Sequence, residues 1–124
     1  EYTLSQFLGR KVLLNFWLEG CPACELEMPL MQAAFDKYGR DQLAILAVNV
    51  RGDPDKVKYY AANQKFTFPV LLDSEGTVDG VYKGPAFPTT YFIDSAGIVQ
   101  DIKSERFQTI SEIDDALAKL DCCK

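Results

Sequence analysis

The residues in this chain best suited to chemistry are two cysteines three positions apart, in Cys21-Pro22-Ala23-Cys24. A thiolate attacks disulfide sulfur, and a second thiol nearby can displace it again. The motif follows an apolar run and opens a helical pattern. Free backbone N–H groups and the helix dipole stabilise a thiolate at such a place. Cys21, at the helix start, is expected to be exposed and to attack. Cys24, one turn in, is expected to be buried and to resolve. The alternative is a pair of inert, buried cysteines. Two more cysteines, Cys122 and Cys123, are adjacent to one another near the C-terminus. They read either as an ordinary tail or as a second redox relay or intermolecular disulfide. A zinc site would want a second CxxC rather than an adjacent pair, so the spacing favours redox use of the first pair.

Composition narrows the chemistry further. The chain has 124 residues, 48% hydrophobic and 25% charged, which predicts one folded domain over 1–124. Its net charge of −5 argues against nucleic acid or an anionic membrane surface as a partner. No apolar run approaches the roughly 18 residues of a membrane span. Histidine is absent, which excludes a Ser-His-Asp triad, a Cys-His pair and every His-dependent metal site. The chain begins at Glu1 without Met or an apolar leader, as an excised domain or a processed form would.

The elements that must position the cysteines follow from the pattern. Val12 to Trp17 reads as a buried strand and Pro22 to Tyr38 as a helix stopped by Gly39, with Pro29 expected to kink it. Leu43 to Val50 is a strand apolar enough to be covered on both faces. Asp53 and Pro54 predict an N-cap and first helical residue, with the helix running to Gln64. Val70 to Asp73 is a short strand, and Thr77 to Tyr82 is at most a short helix. Thr89 to Ile93 and Ile98 to Ile102 form a hairpin turned by Asp94-Ser95-Ala96-Gly97. Thr109 and Glu112 make a capping box before an apolar stripe of Ile110, Ile113, Ala116, Leu117 and Leu120. This order predicts an α/β fold, a mixed central sheet with helices on both faces.

The segment Leu13 to Pro29, which contains Asn15-Phe16-Trp17 and the CxxC, resembles the active-site segment of thioredoxin-fold thiol–disulfide oxidoreductases. It is most similar to the TlpA/ResA-like (DsbE/CcmG-like) branch. Phe87-Pro88-Thr89-Thr90-Tyr91-Phe92-Ile93-Asp94 resembles that family's cis-proline strand, and Phe68 to Asp73 resembles the start of its central βα insert. The resemblance implies a thioredoxin-like fold and a cis bond before Pro88. It implies a substrate groove lined by Trp17, Pro22, Ala23, Phe87 and Pro88, with Trp17 also serving as wall and core beneath the disulfide. A glutamate three residues after the second cysteine, here Glu27, is a proton handler for the buried thiol in this branch. The alternative for Glu27 is a solvated helix carboxylate. In thioredoxin the place of Asn15 holds a buried aspartate that serves the resolving cysteine. Asparagine cannot take a proton, which leaves Glu27 as the nearest candidate. Glu19 and Glu25 read as solvated charges able to raise the thiol pKa values. The chain departs from the family pattern at Gly20, where relatives usually carry a bulky residue, and this predicts a more open groove.

The leading reading is a reductase of protein disulfides with a redox-active Cys21–Cys24 pair, no metal and no other cofactor. The resemblance implies protein disulfide substrates, an upstream thiol reductant and a role in cytochrome c maturation or envelope redox homeostasis. It also implies an extracytoplasmic monomer, in the periplasm or cell envelope, secreted or tethered by a segment outside this chain. Two other readings are a peroxiredoxin-like peroxidase, for which the residues before Cys21 lack the proline, threonine and arginine such sites use, and a copper-chaperone module, which the absence of histidine disfavours.

Overall fold

A computed structural model describes residues 9–73 and 86–122. Strand β1 (Lys11–Trp17) leads into helix α1 (Pro22–Tyr38), then β2 (Leu43–Val50), α2 (Pro54–Gln64), β3 (Val70–Asp73), β4 (Thr89–Ile93), β5 (Val99–Lys103) and α3 (Ile110–Cys122). The strands form one mixed sheet in the order β3-β2-β1-β4-β5. The central strand β1 runs parallel to β2 and antiparallel to β4. Both neighbours therefore protect the strand that ends beside the cysteines. The expected helix at Thr77–Tyr82 lies outside the described residues, as do Cys123 and the side chain of Cys122.

Alternation along β1 divides the core. Leu13 and Trp17 face the helices and join Met28, Met31, Phe35, Ile113 and Leu117 in one buried cluster. Val12, Leu14 and Phe16 face the other way, with Leu46, Val48, Tyr91 and Ile93. The buried apolar side chains of all three described helices belong to the first cluster.

The helix starts form as their sequences dictate. Cys21 and Asp53 are the N-caps of α1 and α2, each with proline just behind it. Gly39 ends α1 with φ +79°, and the helix carries through Pro29. At α3 the Glu112 N–H donates to Thr109 Oγ1 and the Thr109 N–H to Glu112 Oε1, a reciprocal cap. Strand β5 begins at Val99, one residue later than the sequence pattern suggests. Ile98 is held in the turn instead, its carbonyl accepting from the Asp94 N–H and its own N–H donating to Asp94 Oδ1.

Candidate active site

The turn from β1 to α1 delivers Cys21 to the rim of the sheet. Gly20 makes it possible with φ +75°, a conformation that side-chain-bearing residues adopt at a cost. A Cβ on Gly20 would meet nothing within 4 Å, so the backbone conformation rather than crowding is what favours glycine here. Cys21 caps α1 through its sulfur: Sγ accepts from the Cys24 N–H at 3.3 Å. The two cysteines form a disulfide, with their Cα atoms 5.3 Å apart. Cys21 is half-buried, whereas Cys24 is sealed in the first core cluster.

Glu27 lies two turns into α1 and has no exposed surface. This removes the solvated-carboxylate alternative. Its Oε2 accepts from Asn15 Nδ2 at 2.8 Å and its Oε1 from the Phe107 N–H at 3.1 Å. Burial pushes its carboxyl from the usual 4.5 up to about 7; the two hydrogen bonds and the charges of Lys103 and Arg106 pull the other way. Asn15 is equally buried and donates a second bond to Thr90 Oγ1 at 2.9 Å. Asn15 and Thr90 are register partners across β1 and β4, so both side chains stand on the α1 face of the sheet.

Other expected residues fall at varying distances from this arrangement. The Phe87–Pro88 bond is cis. Pro88 is buried, and half-buried Phe87 packs against both core clusters. Pro22 is exposed and Ala23 half-buried beside Cys21. Trp17 is 1% exposed and packs against Tyr60 of α2, so it is core first. It also backs a cavity of about 270 Å³ bounded by Glu19, Gly20, Glu25, Lys56, Val57 and Tyr60. Glu19 is exposed but not idle: its Oε1 accepts from the Asp53 N–H at 3.2 Å. Burial and the charge of Glu25 together raise the Tyr60 phenol.

Sequence reasoning missed Thr90 and Phe107. Thr90 had a signal, since it is a polar residue in an apolar strand, as Asn15 is in β1. Phe107 had none, because it contributes a backbone N–H from 80 residues away. Among the described residues, no group of three or more His, Cys, Asp or Glu side chains is placed to hold a metal ion. No helix among them is long and apolar enough to cross a membrane.

Known proteins resemble this chain in sequence and in fold. The chain is 39% identical over 103 residues to the thioredoxin-like protein YneN of Bacillus subtilis, covering 81% of this chain and 59% of that protein. It is 40% identical over 103 residues to the thiol-disulfide oxidoreductase ResA of Geobacillus kaustophilus, covering 82% and 59%. The chain thus spans about 59% of the length of these relatives. Among solved structures, the exposed lipoprotein thioredoxin Etrx1 of Streptococcus pneumoniae superposes with a TM-score of 0.80 at 27% identity, covering 95% of this chain and 90% of that one. The fold is thioredoxin-like. The AhpC/TSA family model matches residues 1–102, and the chain belongs to that family.

Proposed function

We propose that this chain is a single catalytic domain that reduces protein disulfides, with Cys21 as nucleophile, Cys24 as resolving thiol and Glu27 as proton acceptor. One observation carries the reading: a half-buried sulfur caps a helix start, bridged to a fully buried one, with a buried carboxyl two turns in. The Cys21 thiolate attacks one sulfur of a substrate disulfide, and the other sulfur leaves as a thiolate that takes a proton from solvent. Cys24 gives its proton to the Glu27 carboxylate and attacks Cys21 Sγ. The second substrate thiolate leaves as the Cys21–Cys24 bond forms, so two electrons pass from this chain to the substrate. A carboxyl titrating near 7 is suited to that proton at neutral pH. An upstream dithiol must then restore the reduced pair.

The reducing direction follows from charge. No Lys or Arg occurs from Val12 through Asp36, whereas Glu19, Glu25 and Glu27 flank the motif in sequence. The helix start is the evident stabiliser of the thiolate, so the disulfide is comparatively stable and the dithiol donates electrons readily. Phe87, Pro22 and Ala23 form the surface that meets substrate, with Pro88 and Trp17 behind it. The name of Etrx1 as an exposed lipoprotein supports an extracytoplasmic place for this domain.

The test is disulfide exchange with insulin beside a peroxide-consumption assay. Wild type should reduce insulin, Cys21→Ser should not, and Cys24→Ser should accumulate a mixed disulfide. Equilibration against thiol buffers should give a midpoint nearer the roughly −270 mV of thioredoxin than the roughly −120 mV of DsbA. A midpoint above about −180 mV would overturn the reductase direction.

A further inference from the structure

Asn15 holds a buried atom that the Glu27 chemistry leaves unused. Its Nδ2 commits both N–H bonds, one to Glu27 Oε2 at 2.8 Å and one to Thr90 Oγ1 at 2.9 Å. Its Oδ1 has no hydrogen-bond partner among the described residues. Asn15, Glu27 and Thr90 are all wholly buried, so water does not serve that oxygen from the surface. Buried amide oxygens are rarely left in this way.

This arrangement suits an ionised Glu27, which accepts from Phe107 N–H at one oxygen and from Asn15 at the other. A protonated Glu27 brings an O–H that needs an acceptor. With the proton on Oε2, that donor would face the Asn15 donor. A half-turn of the amide about its Cβ–Cγ bond exchanges nitrogen and oxygen. Oδ1 then stands where it accepts from both the Glu27 O–H and the Thr90 O–H, and Nδ2 becomes the unpaired atom. A threonine hydroxyl donates or accepts equally well, and the Phe107 N–H keeps Oε1 in either case. Each setting leaves one atom of Asn15 unpaired, so neither is excluded by the number of bonds lost.

We propose that Asn15 is a positioning residue with two settings: it donates to the Glu27 carboxylate and, turned over, accepts from the Glu27 acid, with the Thr90 hydroxyl reversing its bond in step. Glu27 is the group that titrates, and Asn15 neither gains nor loses a proton. Both protonation states of Glu27 are then held by a hydrogen bond, and the proton comes and goes without a shift of α1. The charged groups that face Glu27 are Lys103 at the end of β5 and Arg106 before α3. On its own helix the titratable neighbour is Cys24 once reduced. The use of this device in catalysis rests on the proton-accepting role of Glu27 above.

The test uses the oxidised chain, so it needs no exchange activity and fails or succeeds apart from the insulin assay. Nuclear magnetic resonance follows the Glu27 carboxyl carbon and the Asn15 side-chain amide from pH 5 to 9. The expected result is a close amide-to-Thr90 proton contact above the carboxyl midpoint that is lost below it. A contact that persists on both sides overturns the proposal, as does a carboxyl that stays ionised down to pH 5. In Asn15→Leu each protonation state loses one bond, so the midpoint should move by less than about half a pH unit. A fixed donor would instead raise it by about one unit or more, a tenfold change in ionised fraction. A displacement of that size in either direction overturns the two-setting arrangement. Should the leucine variant not fold, the wild-type measurement decides alone.

Discussion

Helix α1 starts with Cys21 as its cap and Pro22 behind it, and α2 starts with Asp53 and Pro54 in the same two places. Each cap accepts from the backbone, Cys21 Sγ from Cys24 at 3.3 Å and Asp53 Oδ1 from Asp55 at 3.0 Å. The helices part company beyond the cap. Three residues past it, α1 buries Cys24 and α2 exposes Lys56. Six residues past it, α1 buries Glu27 completely, while Tyr59 of α2 is 74% exposed. Helix α1 packs against both the sheet and α3, so several of its side chains enter the core; α2 sinks only Val57 fully. A helix start supplies free N–H groups and a dipole wherever it occurs. Reactive chemistry needs the next two turns to be dry as well.

The strongest way to break this comparison is to give α1 the cap of α2. Cys21→Asp should lower insulin reduction by at least about a thousandfold, because the nucleophile is gone. Its stability in urea should stay within about 1 kcal/mol of the reduced wild type, since a carboxylate also caps a helix. Residual exchange near the wild-type rate would remove Cys21 from the role of nucleophile.

Glu27→Gln tests the dryness of the second turn. A carboxyl raised on folding stabilises the fold fully below its unfolded value of 4.5, and that contribution is lost as pH rises toward about 7. Wild-type stability from this group should therefore fall by about 3 kcal/mol across that window. The glutamine variant should show a flat profile there and be the more stable protein at pH 8. Parallel urea midpoints for the two proteins at pH 5 and pH 8 would mean that Glu27 is not desolvated.

Asp53→Cys carries the comparison the other way, placing a thiol at the start of α2. Its pKa should drop below the free value of about 8.5, and alkylation at pH 7 should quicken several-fold over an exposed free cysteine. It should support no exchange in a Cys21→Ser background, because Lys56 stands where a resolving thiol is needed. Loss of the aspartate cap should cost about 1 kcal/mol in urea unfolding. The smallest effect concerns the Lys37–Asp114 ion pair at 3.0 Å, which ties α1 to α3 at the surface. Lys37→Ala should cost no more than about 0.5 kcal/mol, since exposed pairs contribute little. A thermal melt showing a larger loss would shift the anchoring of α1 from its core face to its rim.

Much of this was legible along the chain. The bounds of β2, α2, β3 and β4 coincide with the pattern of apolar residues, caps and turns. The cis-proline before Thr89 was implied by family resemblance rather than by any local rule, and it is present. The placement of β5 slipped by one residue because the Asp94 turn captures Ile98, a contest between turn and strand that periodicity does not register. At the site, the order of Cys21 and Cys24 in the helix start was readable, since cap geometry depends on neighbouring residues.

The sequence by itself determined where the helices start, which strand runs into the cysteines and that no histidine serves them. These are local or compositional properties, governed by backbone preference and side-chain type. Only the tertiary structure decided that Glu27 is buried and which groups meet it. Its partners come from β1, at Asn15, and from the chain before α3, at Phe107, with Thr90 of β4 one bond further on. The raised carboxyl is a consequence of desolvation, and desolvation is set by everything that packs around a residue, not by the few residues beside it.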